Sequence, residues 1–518
     1  MDKGELIYID YAIILLSLAG SVWIGFHFAK GQKSTSKYFI ASGKIPAWAI
    51  GMSILATLIS SITFLAYPGE GFSNNWIRLV QGFMVPIVLL LLIWSVVPLY
   101  RNVIGLSAYE YFEKRFGLLA RMYSSLGFIM AHFSKMGTVL YLLALAIGHL
   151  LGMDTVVIII ILGVVIIIVT YFGGIEAVIW LDVIQGFMLI AGGLVTLIII
   201  VSTTPGGLPA IWEVGVQNDL IGFGPFDWDF VNLTFWVMAL NGVFYAIQKY
   251  GTDQTIVQRY LTAKSNKDAI KASLIGVLLS VPVWALFMFI GTALFGYYHL
   301  NPEVTLPSDI KADAVFPLFI LQELPIGVSG LVISALIAAA ISSLDSDINC
   351  LSAILTEDFY CKLKRKVTER QKLFFSKITV LVVGFASIAI AMLFTKIGGE
   401  GILGTVFSLY AIFSGGIAGI FLLGLFSKTA NNNGLNIGIA ACVLFTAYAV
   451  LTSTRVEDRL LLDLGSFNFS QHNYMLGVYS HLILIVVGQL ASYLFPRQEI
   501  NERLTFYGWS KKKRKEAQ

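Results

Sequence analysis

The feature that most constrains this chain is a succession of apolar runs, each long enough to cross a lipid bilayer. A helix needs about 20 mostly apolar residues to span a hydrocarbon core roughly 30 Å thick. Thirteen such runs lie near 7–29, 46–71, 76–100, 119–151, 154–174, 175–202, 233–250, 270–297, 325–355, 373–396, 402–426, 433–453 and 474–495. The longest must tilt or extend past the lipid. No water-soluble interior could hide so many, so the 518 residues are expected to form an all-α polytopic membrane bundle. Charge usage agrees: 13% of residues are charged, about half the roughly 25% of soluble proteins. The 35 basic and 31 acidic residues nearly cancel, which gives no reason to expect a nucleic-acid partner. The three cysteines (Cys350, Cys361, Cys442) form no CxxC pair and no disulfide framework.

The basic residues orient the bundle. With the N-terminus outside, 28 of the 35 fall on inner segments, among them Lys30–Lys44, Arg101–Arg121, Lys249–Lys271, Lys362–Lys377 and the tail after Pro496. Six fall outside (Lys3, Arg78, Lys311, Lys396, Arg455, Arg459), and Lys135 falls within a span. This is a strong positive-inside bias. It puts the basic tail, 497–518, in the cytoplasm of a cell (plasma) membrane protein. The first span follows an acidic leader, MDKGELIYID, and exceeds a signal-peptide core, so it is expected to be retained. The acidic connections, 203–232 and 298–313, lie outside.

Polar residues inside a membrane are costly and mark function. The second span reads GMSILATLISSITFLA from Gly51 to Ala66, with a hydroxyl cluster of Thr57, Ser60, Ser61 and Thr63. The fourth carries His132, Ser134 and Lys135, the sixth Asp182 and Gln185, and the ninth AAAISSLDSD from Ala338 to Asp347. Ala56, Ile59, Ser60 and Thr63 follow the i, i+3, i+4, i+7 series of one helical face, as do Ala339, Ser342, Ser343 and Ser346. Such stripes either let helices approach closely or offer the oxygen ligands that a hard cation prefers. No span shows the His/Cys/Glu spacing of a zinc or haem site. His132 reads as a hydrogen-bonded packing residue.

Five segments resemble the signatures of the sodium/solute symporter family: KYFIASGKIPAW (37–48), SAYEYFEKRFG (107–117), GGIEAVIWLDVIQ (173–185), YGTDQTIVQRYLTAK (250–264) and AAAISSLDSDINCLSA (338–353). The resemblance implies the leucine-transporter architecture; an enzyme is not expected, because no nucleophile–base or metal motif appears in the sequence. An extra N-terminal helix and inner loop (1–45) would precede a first repeat of five helices (46–202). An outer loop (203–232) would lead to its inverted copy (233–426), followed by two peripheral helices (427–496). The family unwinds its first core helix at mid-membrane, here near Ala56 and Ile59. Unwound backbone is tolerated at that depth only where it lines a site.

Carried over by position, the family's main sodium site falls on the carbonyls of Ala56, Ile59 and Ala339 and the hydroxyls of Ser342 and Ser343. A second Na+ site found in some members would use Asp182, Ser342, Asp345 and Ser346. At position 345 a serine or threonine is usual. The aspartate either strengthens that site or faces the cytoplasm and pairs with a lysine.

The chain resembles most closely the branch that carries sialic acids. That branch places an arginine where this chain has Lys135, sixteen residues into its helix and about 24 Å deep by helix rise. A lysine offers a point charge in place of a bidentate fork. It would either anchor a solute carboxylate with looser geometry or pair with a carboxylate of the bundle. Ser60, Thr63 and Gln81 resemble further polar contacts to the solute. Phe244 and Tyr245 would cover the sugar or serve as packing aromatics, and Lys249 stands where a gate aromatic is common. The expected activity is sodium-driven sialic acid uptake by alternating access. Another small organic anion, a neutral sugar, or a solute sensor without transport are the alternatives.

Overall fold

The computed structural model describes residues 6–29, 31–308, 310–364, 366–397, 415–456 and 459–508. The basic tail from 509 onward and the first half of the run at 402–426 lie outside these residues. The described chain is helical apart from its connections and one two-stranded hairpin, Arg455–Val456 with Arg459–Leu460. The helices are α1 (Tyr8–Ala29), α2 (Thr35–Ile40), α3 (Ala47–Leu58), α4 (Ser61–Ser73), α5 (Leu79–Val103), α6 (Glu110–Phe116), α7 (Leu118–Leu151), α8 (Thr155–Thr203) and α9 (Gly207–Gln217). They continue as α10 (Phe235–Gly251), α11 (Gln254–Thr262), α12 (Asn266–Leu300), α13 (Ala312–Gln322), α14 (Val328–Ile354), α15 (Glu369–Ile397), α16 (Ile417–Phe426), α17 (Asn432–Ser453) and α18 (Asn473–Ser492). Among the described residues, 9 helices are long and apolar enough to cross a membrane, and α3 with α4 forms one further broken span.

Two of the expected spans, 154–174 and 175–202, are the two arms of α8. They meet at Gly174, where φ is 57° and ψ −162°. A Cβ there would also lie 2.8 Å from the Tyr38 carbonyl oxygen, so only glycine meets both demands. The connections hold structure that apolar runs do not reveal: α9 lies within 203–232, and α13 follows 298–313.

The second span is broken as expected. Ile59 and Ser60 are extended, at φ −103°, ψ 109° and φ −105°, ψ 176°, and α3 meets α4 at 57°. Hydroxyls beside the break bond back onto their own helix: Thr57 Oγ1 donates to the Ser53 carbonyl one turn earlier at 2.7 Å. Both arms pack on α12. The approach is close enough that a Cβ on Gly291 would fall 2.1 Å from the Pro68 carbonyl oxygen. Backbone contact of this kind is how small residues join helices in lipid.

The signature segments interlock around α11. Tyr38 donates its hydroxyl to the Thr170 carbonyl at 2.8 Å, which pins α2 to α8. Gln258 donates to the Phe39 carbonyl at 2.7 Å and to Asn349 Oδ1 of α14 at 2.9 Å. Gln254 accepts from the Ala108 amide and donates to the Leu106 carbonyl, both at 2.7 Å. Segments far apart in sequence therefore lock one polar, buried layer.

Candidate functional site

The break after Leu58 sets up the first site. The last four carbonyls of a helix have no amide within it, so those from Ala56 to Ile59 are left over beside α14. Ser342 Oγ donates to the Ala56 carbonyl at 3.2 Å and to the Ala339 carbonyl at 3.0 Å, while Ser343 Oγ donates to Ala339 at 3.3 Å. Ala56, Ile59, Ala339, Ser342 and Ser343 are all buried. The structure thus gathers the Ala56 and Ala339 carbonyls and the Ser342 and Ser343 hydroxyls between the two helices, with buried Ile59 at the break itself. A shell of carbonyls and hydroxyls without a carboxylate suits a monovalent hard cation.

A second cluster lies where α8, α11 and α14 meet. Asp182, Arg259, Asp345 and Ser346 are all 0% exposed. Arg259 Nη2 donates to Asp182 Oδ2 at 2.8 Å and to Ser346 Oγ at 2.7 Å; its Nε donates to Ser53 Oγ at 2.7 Å, and Ser53 donates to Asp182 Oδ2 at 2.5 Å. Position in sequence assigned Arg259 to an inner loop among the orienting cations; the structure buries it in the bundle. Asp345 does not face solvent, and among the described residues it pairs with no lysine. It lies near Asp182 and Arg259, with the Ser346 amide close to its carboxylate, and among the described residues neither of its oxygens, nor Asp182 Oδ1, has a partner in full hydrogen-bond geometry. Buried carboxylates are costly unless paired. One guanidinium faces two of them, and three oxygens stay open to a further cation.

The third cluster surrounds Lys135 on α7. Its Nζ lies 2.9 Å from Asp347 Oδ2 and 3.2 Å from Oδ1, the bundle carboxylate that was one of its two expected partners. His132 stacks on Phe128 at 3.6 Å between ring centroids and hydrogen-bonds the Phe128 carbonyl at 2.9 Å. It also stands 3.6 Å from Asp347 Oδ1 and 3.9 Å from Asp253 Oδ2. Lys249 pairs with Asp253 at 2.7 Å and reaches Thr255 Oγ1 at 3.1 Å. A small cavity lined by Tyr109, Phe128, Ala131, His132, Gln248 and Asp253 opens beside this network.

Of the expected solute contacts, Ser60 sits half-buried at the break and Thr63 is buried one turn beyond; the Ser61 side chain lies outside the described residues. Gln81 lies on α5 where Gly242 of α10 packs against its backbone, a Cβ there falling 2.9 Å from Gln81 Cα. Phe244 stacks on His481 of α18 at 5.2 Å and joins the apolar contact of α10 with Met475 and Val478. It is a packing aromatic in this structure. Sequence reasoning missed Arg259 and Asp347; both lie within signature segments, 250–264 and 338–353, the second beside Ser346.

Comparison with known proteins identifies the family and agrees with the fold. The family model described as the sodium:solute symporter family matches residues 38–441. The sodium/sialic acid symporter SiaT of Proteus mirabilis is 33% identical over 96% of this chain and 97% of its own. The sodium/sialic acid symporter NanT of Aliivibrio fischeri is 31% identical over 98% and 97%. A solved structure of a Na+-coupled sialic acid symporter, substrate-bound and outward-open, is 30% identical, with a TM-score of 0.87 over 96% of this chain and 100% of that one. With the broken helix, the interlocked signature segments and a full-length match all in agreement, the chain belongs to the sodium:solute symporter family.

Proposed function

We propose that this protein couples inward sodium flow to uptake of a sialic acid across the plasma membrane, with its N-terminus outside and its basic tail in the cytoplasm. The observation that carries the reading is the contact between Ser342 Oγ and the Ala56 carbonyl across α14 and the break. Sodium bound there by Ala56, Ile59, Ala339, Ser342 and Ser343 would join an arm of each repeat, 46–202 and 233–426. Its arrival and loss would bias which side of the bundle opens. Coupling follows when ion and solute favour the same state.

The second cluster supports a second sodium. A guanidinium nitrogen already lies between Asp182 and Ser346. The ion would therefore rest on the open oxygens of Asp182 and Asp345, with Ser342 and Ser346 nearby on α14. The substrate class rests on Lys135, an ammonium within the span that would bind the solute together with Ser60, Thr63 and Gln81, and on the sialic acids named for the similar symporters.

Purified protein in liposomes should accumulate N-acetylneuraminate when an inward sodium gradient is imposed, and not when potassium replaces sodium. Binding without sodium-dependent accumulation would make the protein a sensor and overturn the reading.

A further inference from the structure

The proposed anchor for the solute is already engaged. Both oxygens of Asp347 lie within 3.2 Å of Lys135 Nζ. The two partners differ in access: the Lys135 side chain is 31% exposed, the Asp347 side chain 0%. A solute arriving at Lys135 therefore meets a neutral pair with only its cationic side open. Asp347 approaches from behind, out of α14, two residues beyond Asp345.

We infer that Asp347 is an internal competitor for the solute carboxylate, and that release of Lys135 from Asp347 links sodium binding to recognition of the acid. The inference rests on the reading of Lys135 as the solute anchor. When Lys135 turns to a solute, Asp347 loses its ammonium while remaining buried, which is costly unless another cation compensates it. His132, 3.6 Å from Asp347 Oδ1, is shared with Asp253 and cannot do this alone. A sodium at the Asp182–Asp345 cluster would neutralise Asp345, which stands two residues from Asp347 on α14, and so lower the cost of leaving Asp347 unpaired. Sodium thus favours the state in which Lys135 is free, and an acid favours the state in which sodium is held. Linkage makes the two effects equal. A neutral solute has no use for the freed ammonium and would gain less.

The test measures binding of N-acetylneuraminate and of its uncharged methyl ester to the purified full-length protein, in sodium and in choline. In the wild type the acid should bind far more tightly in sodium, and the ester should show a smaller dependence. Asp347→Asn removes the competitor, so in choline the acid should bind on the order of tenfold more tightly than to the wild type, within the usual range of coupling factors. The ester should be unchanged. Asp347→Ser, with a smaller neutral side chain, should behave alike and serves if the amide disturbs packing. Lys135→Ala should lose the acid and keep the ester. If both Asp347 variants bind the acid no more tightly in choline while Lys135→Ala still loses it, Asp347 only positions Lys135; the inference falls and the anchor stands. If Lys135→Ala keeps the acid, the anchor reading falls and takes the inference with it.

Discussion

Arg259 Nη2 lies 2.8 Å from Asp182 Oδ2, and neither side chain has any exposed surface. The guanidinium also holds Ser53 and Ser346, so one cation joins α3, α8 and α14 through α11. Removing one partner of a buried pair leaves the other uncompensated, typically at a cost of about 3–5 kcal/mol. Arg259→Ala should therefore lower the melting temperature of the detergent-solubilised protein sharply. Arg259→Lys should recover some of the loss, since a lysine restores the charge but not the fork. Equal melting of Arg259→Ala and wild type would show that the pair does not hold these helices.

The serines of α14 make a different prediction, about the ion rather than the fold. Ser342 and Ser343 already donate to carbonyls within protein contacts, and each such bond is worth only about 0.5–1.5 kcal/mol net. The double variant Ser342→Ala, Ser343→Ala should thus fold. It should lose the rise in melting temperature that sodium gives the wild type, because ligands that bind the native state stabilise it by mass action. Sodium-driven uptake should vanish with it. A full sodium shift in the double variant would remove these serines from the site.

How much of this was legible in the residues depends on how far each interaction reaches along the chain. The two polar faces were visible as helical periodicity, because α3 and α14 are regular on either side of the break. The break itself was not: no glycine or proline stands between Leu55 and Thr63, and only the family resemblance located it. The join in α8 was legible, since Gly173 and Gly174 stand between two apolar runs. Arg259 was misplaced because α11 is only 9 residues long. By hydropathy it reads as an inner loop, and counting loop cations takes in a buried arginine along with exposed ones. The partner of Lys135 lies 212 residues away, beyond any local pattern, so sequence offered two kinds of partner and the structure supplied one. The stacking of Phe244 on His481 was hidden for a similar reason: which face of α10 meets α18 is a tertiary fact.

Gly174 gives a prediction about strain. Its φ of 57° and the 2.8 Å that a Cβ would leave to the Tyr38 carbonyl oxygen act on the same substitution. Gly174→Ala should destabilise the protein by about 1–3 kcal/mol, seen as a lower melting temperature. Gly152, also at positive φ (61°) but with nothing near its missing Cβ, should tolerate alanine better. Gly152 is left-handed helical (ψ 26°) whereas Gly174 has ψ −162°, a region essentially confined to glycine; equal losses at the two sites would show that neither that conformation nor the contact with Tyr38 adds to the cost.

Asp345 carries the last prediction, on the charge moved per turnover. One sodium with a monoanionic solute is neutral and takes nothing from the membrane potential. Two sodiums carry a net positive charge, and one charge moved through 100 mV yields about 2.3 kcal/mol, roughly fiftyfold in accumulation at about 1.4 kcal/mol per tenfold. The open oxygens of Asp182 and Asp345 are the proposed seat of the second ion. Wild-type proteoliposomes should therefore show an inward positive current on adding N-acetylneuraminate, and accumulation should grow when the interior is made negative. Asp345→Asn removes one carboxylate from a cluster that keeps Arg259, so its remaining charges balance without sodium. This variant should lose most of the current per solute while retaining uptake driven by the sodium gradient through Ala56, Ser342 and Ser343. A wild type without current would limit the protein to one sodium per solute. Unchanged current in Asp345→Asn would move the second ion elsewhere in the bundle.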